Sequence, residues 1–380
     1  SKRCIHNALP SRSPSIASKR GPLENEAKMT RRPSPQHVSV LAALVSAPLI
    51  GLTGPTGCAT TSSDTASEQR PSTTARPTRR ARNDEARAAA QDAAANAARL
   101  RTEGVTDEAL AEFERAIEIN PELTIAYVGA AEIYQQQGQF GEAEARYRRA
   151  TEREPANFDA QFGHGLVLQL LNRITESVRA YLRALSLRPD DFDANLNVAT
   201  AYMQLDEPRQ ARPYAERAVR LDPEDGNARV NLGAVYSALD MHDAAVVEYQ
   251  QAAELIELGP ELLLNLADSL GKTDRYPEMA STLSQLVRIE PSAVAYERLG
   301  TALFKLKNYD DALAAFREAT ALEPNHYPAW NGIGVCQLNK YLWSQRADTN
   351  ARNGAMDALR KSLQIKPNQA KIIELVRRYG

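Results

Sequence analysis

Residues 226–259 read GNARVNLGAVYSALDMHDAAVVEYQQAAELIELG. Their apolar residues recur at helical spacing. Leu232, Gly233 and Tyr236 share one face at i, i+1 and i+4, and Ala245, Tyr249 and Ala252 share another at i, i+4 and i+7. The pattern predicts two short amphipathic helices with a tight turn at Leu239, Asp240 and Met241. Neither helix carries enough apolar surface to stay folded alone, so the pair needs similar pairs above and below it.

The rest of the chain supplies them. Steps of 34 residues back from Gly233 land on Ala199, Gly165, Ala131 and Ala97. Forward steps land on Ala267 and then, after one step of 33, on Gly300 and Gly334. A second small-residue track runs Ala116, Ala150, Ala184, Ala218 and Ala252, breaks at Leu286 and resumes at Ala319. A third is mostly bulky: Phe113, Tyr147, Tyr181, Ala215, Tyr249, Leu283 and Phe316. Pro121, Pro155, Pro189 and Pro223 lie 34 apart, and Pro291 lies 68 beyond Pro223. Small residues let helix backbones approach where they cross, and the bulky residue fills the space between successive pairs. Proline ends each second helix, because it lacks an N–H and pushes its predecessor out of the α region.

This period and pattern resemble the tetratricopeptide repeat family over roughly residues 90–380, with WNGIG at 330–334 and ALAAFREA at 312–319 close to its two signature runs. The resemblance implies an all-α fold, a right-handed superhelical solenoid of about eight helix pairs closed by a C-terminal capping helix. It also implies a non-catalytic role in binding other proteins, with the first helix of each pair lining the concave face. On those helices, two residues before the small position, stand Asn197, Asn231 and Asn265, again 34 apart. Asparagine is a mediocre helix former, and its amide pairs with a peptide N–H or C=O whatever the peptide's side chains. The series resembles the asparagine ladder of the protein O-linked N-acetylglucosamine transferase solenoid and of kinesin light chain. The alternative, that duplication copied a tolerated surface residue, stands open at this point. Leu196, Val230 and Leu264 are expected to face the same channel for apolar contacts, with Asp268 and Arg298 for charge. The two-carboxylate clamp of chaperone co-factors is absent, because Val230, Ala234 and Val294 stand where it requires Lys, Asn and Lys.

The net charge of −2 hides an asymmetry: residues 1–82 carry 13 Lys+Arg against 4 Asp+Glu, and the remainder 33 against 44. An acidic solenoid is a poor partner for nucleic acid. Residues 1–28 lack apolar periodicity and read as an untranslated stretch before Met29 or a disordered leader. Residues 29–57 read as a signal peptide, with Arg31 and Arg32 before an apolar run at 38–52 that is too short to span a membrane. The run ends in GLTGPTGC, residues 51–58, which resembles the lipobox of bacterial lipoproteins, with Pro55 where that family usually has Leu. The resemblance implies lipidation of Cys58 and an outer-membrane anchor facing the periplasm; the alternative is a soluble secreted or periplasmic protein. Residues 58–82 form a Thr-, Ser-, Arg- and Pro-rich tether, and the solenoid is expected over 83–380, with Asn83 or Asp84 capping its first helix.

No chemistry-bearing constellation emerges. His6, His37, His164, His242 and His326 are scattered, and no phosphate loop or nucleophile elbow occurs, so no cofactor, metal or small-molecule substrate is expected. Asp190-Asp191 and Asp310-Asp311 are expected to cap helices. Cys336 reads as a buried apolar residue. Two irregularities stand out. Residues 260–292 form a unit one residue short, whose Met279 and Leu286 replace small residues and are expected to open the crossing and divide unfolding there. The eighth unit holds about nine extra residues, expected within its turn, where Tyr341 and Trp343 form a docking patch or a lid. A final helix at 368–379 is expected to turn Ile372, Ile373, Leu375 and Val376 toward the last pair.

Overall fold

The expected pair at 226–259 forms two helices, Gly226–Ala238 and His242–Leu255, and the whole described chain repeats this unit. The computed structural model describes residues 78–380. Its helices are α1 (Arg79–Thr102), α2 (Thr106–Ile119), α3 (Thr124–Gln136), α4 (Phe140–Arg153), α5 (Phe158–Leu170) and α6 (Ile174–Leu187). Next come α7 (Phe192–Gln204), α8 (Pro208–Leu221), α9 (Gly226–Ala238), α10 (His242–Leu255), α11 (Pro260–Lys272) and α12 (Tyr276–Ile289). The array ends with α13 (Ala293–Lys305), α14 (Tyr309–Leu322), α15 (Tyr327–Trp343), α16 (Thr349–Ile365) and α17 (Ala370–Tyr379). Odd and even helices pair into eight units, each packed on the next, and α17 packs on α16. This is an all-α solenoid with a terminal cap.

The bulky track holds the units together. Phe316 of α14 lies between Gly300 of its own first helix and Gly332 of the next one. A Cβ at those two glycines would lie 2.8 Å and 2.5 Å from the ring. Tyr147 lies against Gly163 of the next first helix, and Tyr181 against Gly165 of its own. Their rings are almost fully buried, and burial drives their phenol pKa values upward. Tyr181 still donates a hydrogen bond to Gln169 Oε1 at 2.9 Å, so its one polar atom is satisfied.

A further track sets the turns. Seven residues with positive φ, namely Gly104, Gly138, Asn172, Asp206, Asp240, Asp274 and Lys307, follow the first helices at repeat spacing. Each lets the next N–H reach the carbonyl five residues back, as Met241 does to Tyr236 at 2.9 Å. Gly, Asn and Asp tolerate this left-handed conformation, and Lys307 is the strained member. After the second helices, the loop proline carbonyl is held as well. Gln161, Asn195, Arg229 and Trp330, each the fourth residue of a first helix, donate to the carbonyls of Pro155, Pro189, Pro223 and Pro324.

Several expectations need correction. The first helix is capped by Thr78, whose Oγ1 accepts from Ala81 N–H at 3.3 Å; it therefore starts at Arg79, ahead of Asn83 and Asp84 and inside the stretch expected as tether. Asp191 does cap α7, whereas Asp190 pairs with Arg217, and Asp310 and Asp311 lie in the first turn of α14. The extra residues of the eighth unit do not form a long turn. Relative to α9 and α10, four lengthen α15, three lengthen α16 and two lengthen the turn. The last helix starts at Ala370, and Ile373 is exposed, while Ile372 is buried and Leu375 and Val376 are half-buried.

The short sixth unit loses its residue in the loop at 290–292, where Ser292 caps α13 directly. Met279 and Leu286 are buried in a hydrophobic cluster running from Ala245 of α10 to Ala315 of α14. That continuity argues against a break in stability at 260–292. The fourth unit is the weaker one. Its bulky position is Ala215, and Pro213 inside α8 removes a helix hydrogen bond, which costs about 3 kcal/mol in a typical interior site. Amide hydrogen exchange should therefore be faster in α8 than in α10 and α12. Equal protection, or faster exchange in α12, would contradict this.

Candidate functional site

The first helices of successive units touch side by side, α3 with α5, α5 with α7, α7 with α9, α9 with α11, and α13 with α15. This contact is weakest between α11 and α13, on either side of the short loop. The fifth residue of α3, α5, α7, α9 and α11 forms an apolar series on this layer, Val128, Phe162, Leu196, Val230 and Leu264, all half-buried, which gives way to Glu297 and Asn331 on α13 and α15. The sequence reading found Leu196, Val230 and Leu264; Val128 and Phe162 lie at the same 34-residue spacing.

The three asparagines occupy the sixth position but are not equivalent. Asn197 donates from Nδ2 to its own helix, at Asp193 O, 2.9 Å away. Asn231 Nδ2 donates to Thr200 Oγ1 of the preceding first helix at 2.7 Å, and Thr200 passes the bond on to Leu196 O at 3.0 Å. Asn231 Oδ1 is buried and has no partner. Asn265 is exposed. In repeat register Asn231 stands opposite Ala215, the one place where the bulky track leaves room.

Asp268 and Arg298, read from the sequence as ligand-facing charges, form an ion pair with each other across the α11–α13 gap. The pair lacks a well-aligned hydrogen bond at Arg298 Nη1, which is buried. Burial pushes the Asp268 carboxyl above the usual range, and Arg298 only partly opposes this. The gap is a cavity of about 690 Å³ whose lining also includes Lys272, Tyr276, Thr301 and Lys305. Thr301 joins it to a second cavity of about 230 Å³, formed mainly by Phe304, Phe316, Val335, Pro328 and Asn331.

Tyr341 and Trp343 do not form one patch. Tyr341 packs into the capping cluster with Leu359 and Ile372, whereas Trp343 is 66% exposed and meets Tyr309 edge-on at 4.8 Å. Cys336 is buried, and its thiol is pushed up to about 12, chiefly by burial. His164 is half-buried and 3.5 Å from Glu144 Oε1, with burial lowering its pKa. Among the described residues no group of three or more His, Cys, Asp or Glu is arranged to hold a metal ion. None of the described helices is long and apolar enough to cross a membrane. Cys58, the signal peptide and most of the tether lie outside the described residues.

These repeated pairs, with clasped rings and small crossing residues, define the class. Residues 128–194, 196–262 and 293–326 match family profiles described as tetratricopeptide repeat. The chain thus carries tetratricopeptide repeats over these residues. Over 120 residues it is 28% identical to the small glutamine-rich tetratricopeptide repeat-containing protein 2 of Mycosarcoma maydis, a match covering 31% of this chain and 34% of that protein. The chain therefore spans about a third of the length of that curated relative. Among solved structures, one from a functional characterization of Pseudomonas aeruginosa pilF is 22% identical, covering 55% of this chain and 94% of that one, with a TM-score of 0.46. A tetratricopeptide repeat protein from Parabacteroides merdae is 19% identical, covering 67% of this chain and 97% of that one, with a TM-score of 0.45.

The orphaned oxygen of Asn231 makes a direct prediction. Leaving a buried acceptor unpaired costs about 1–3 kcal/mol, while the bond to Thr200 returns only about 0.5–1.5. Asn231→Leu should therefore raise the unfolding free energy by about 1 kcal/mol in denaturant titration, and Asn265→Leu should leave it unchanged. A clear loss of stability in Asn231→Leu would contradict the reading.

Proposed function

We propose that this chain is a non-catalytic scaffold that holds extended segments of other proteins in the concave groove along its first helices, anchored at a bacterial cell envelope by lipid on Cys58. The observation that carries the binding role is the half-buried apolar series, one side chain from each of units two to six, running beside the asparagine amides. Stacked first helices lie about 8–10 Å apart, and an extended peptide advances about 3.3 Å per residue, so each unit meets about every third residue. Units four to six, with Leu196, Val230, Leu264 and the three asparagines, would hold a segment of roughly seven residues. Amide bonds at about 0.5–1.5 kcal/mol each give weak, sequence-tolerant binding, with Asn231 having to turn from Thr200 to contribute one, and the apolar series adds selectivity.

The envelope setting rests on the signal-like run at 38–52 and the small residues before Cys58. A single acyl chain holds a protein only marginally, so the multiple chains of a lipoprotein anchor suit a permanent tether. One set of strains tests both halves. The wild-type chain should sediment with membranes through a high-salt wash, and Cys58→Ser should move to the soluble fraction. Asn197→Ala with Asn231→Ala and Asn265→Ala should stay membrane-bound, keep its helicity and bind retrieved partners about tenfold more weakly. Salt release of the wild type would overturn the anchor, and unchanged affinity in the triple variant would overturn the ladder.

A further inference from the structure

From α3 to α15 the first helices carry five Lys or Arg residues, and three of them line one cavity. Residues 83–380 carry 33 Lys+Arg against 44 Asp+Glu, yet Lys272, Arg298 and Lys305 converge on the cavity between α11 and α13. Arg298 is taken up by Asp268. Lys272 and Lys305 have no carboxylate of any described residue within ion-pair distance; Lys305 instead lies 5.5 Å from the centre of the Tyr276 ring. The lining thus sets three cations, Lys272, Arg298 and Lys305, against two carboxylates, Asp240 and Asp268; Lys272 acts on Asp268 through space, and neither lysine forms a direct ion pair among the described residues. On the far side of Thr301, which donates a hydrogen bond to Glu297, the lining turns mainly apolar, with Phe304 and Val335 at its wall.

We infer that this gap takes an acidic side chain of an extended protein segment, with an apolar side chain of the same segment seated beside Phe304; this rests on the groove reading proposed above. The charge balance selects the occupant. A carboxylate satisfies Lys272 and Lys305 directly and competes with Asp268 for Arg298. The chain's own residues 1–82 have the wrong sign, with 13 Lys+Arg against 4 Asp+Glu. The groove continues past the cations in both directions, toward Ser237 on one side and Pro328 on the other, which suits a carboxylate within a segment rather than at its end. The two cavities belong to successive units, about 8–10 Å apart, so the acidic and apolar residues should be about three positions apart.

The test is selection of phage-displayed random peptides of about twelve residues, long enough to cross two or three units, on the full chain. Selected peptides should be enriched in Asp or Glu with an apolar residue about three positions away, and should bind equally with free or amidated C-termini. Lys272→Glu with Lys305→Glu should weaken them about tenfold, and high salt should do the same. Asp268→Asn should strengthen them about threefold, because it frees Arg298. Peptides that compete for the groove but lack acidic enrichment, or that bind Asp268→Asn more weakly, would overturn this inference while leaving the groove reading intact. Failure to select any groove-bound peptide would overturn both, and dependence on a free C-terminus would assign the site to a chain end.

Discussion

The structure depends on one packing relation: a ring from five of the eight second helices set against small residues of the neighbouring first helices. Phe316 between Gly300 and Gly332 shows it most plainly, because a single added carbon on either glycine would meet the ring. The relation works in two directions at once. It closes each pair on itself and fixes the distance and register of the next pair, so local sequence determines a long-range array. Burying such a ring is worth several kcal/mol, and removing it typically costs about 3–5. That magnitude explains why helices of 13 or 14 residues, too short to persist alone, are stable in series.

The same relation shapes the groove. Where the ring and its small partners are kept, first helices lie against one another. Where the track changes to Leu283, with Met279 and Leu286 on the same helix, the core stays filled and the contact of α11 with α13 is the weakest between successive first helices. The irregular unit is therefore better understood as a widening of the binding layer than as a weak joint. Its cavity gathers three of the five Lys and Arg residues on the first helices from α3 to α15. Ala215 acts differently: it removes bulk without a replacement, and beside it Asn231 keeps a buried oxygen unpaired.

Much of this was legible in the sequence, because a 34-residue period turns weak signals into strong ones. Gly233, Tyr249 and Ala252 fall where the spacing put them, and so does the turn at Asp240. The left-handed track from Gly104 to Lys307 was equally periodic but went unread, since Gly, Asn, Asp and Lys do not look alike until a shared backbone angle unites them. The bonds from Gln161, Asn195, Arg229 and Trp330 to loop carbonyls were hidden for the same reason: four different side chains perform one task. Pairing between side chains was not legible at all. Nothing in the spacing says that Asp268 neutralises Arg298, that Asn197 bonds its own helix, or that Tyr341 and Trp343 point to different neighbours. Such choices depend on rotamers and helix separation, which a period does not specify.

The ring-and-glycine relation is best tested where helix propensity predicts the opposite sign. In an ordinary helix interior, Gly→Ala stabilises by about 0.5–1 kcal/mol. At Gly332 the account predicts a loss of stability when Phe316 is present, and a return to the ordinary gain when Gly332→Ala is combined with Phe316→Ala, measured as a double-mutant cycle by denaturant unfolding. Additive effects in that cycle, or stabilisation by Gly332→Ala alone, would contradict it.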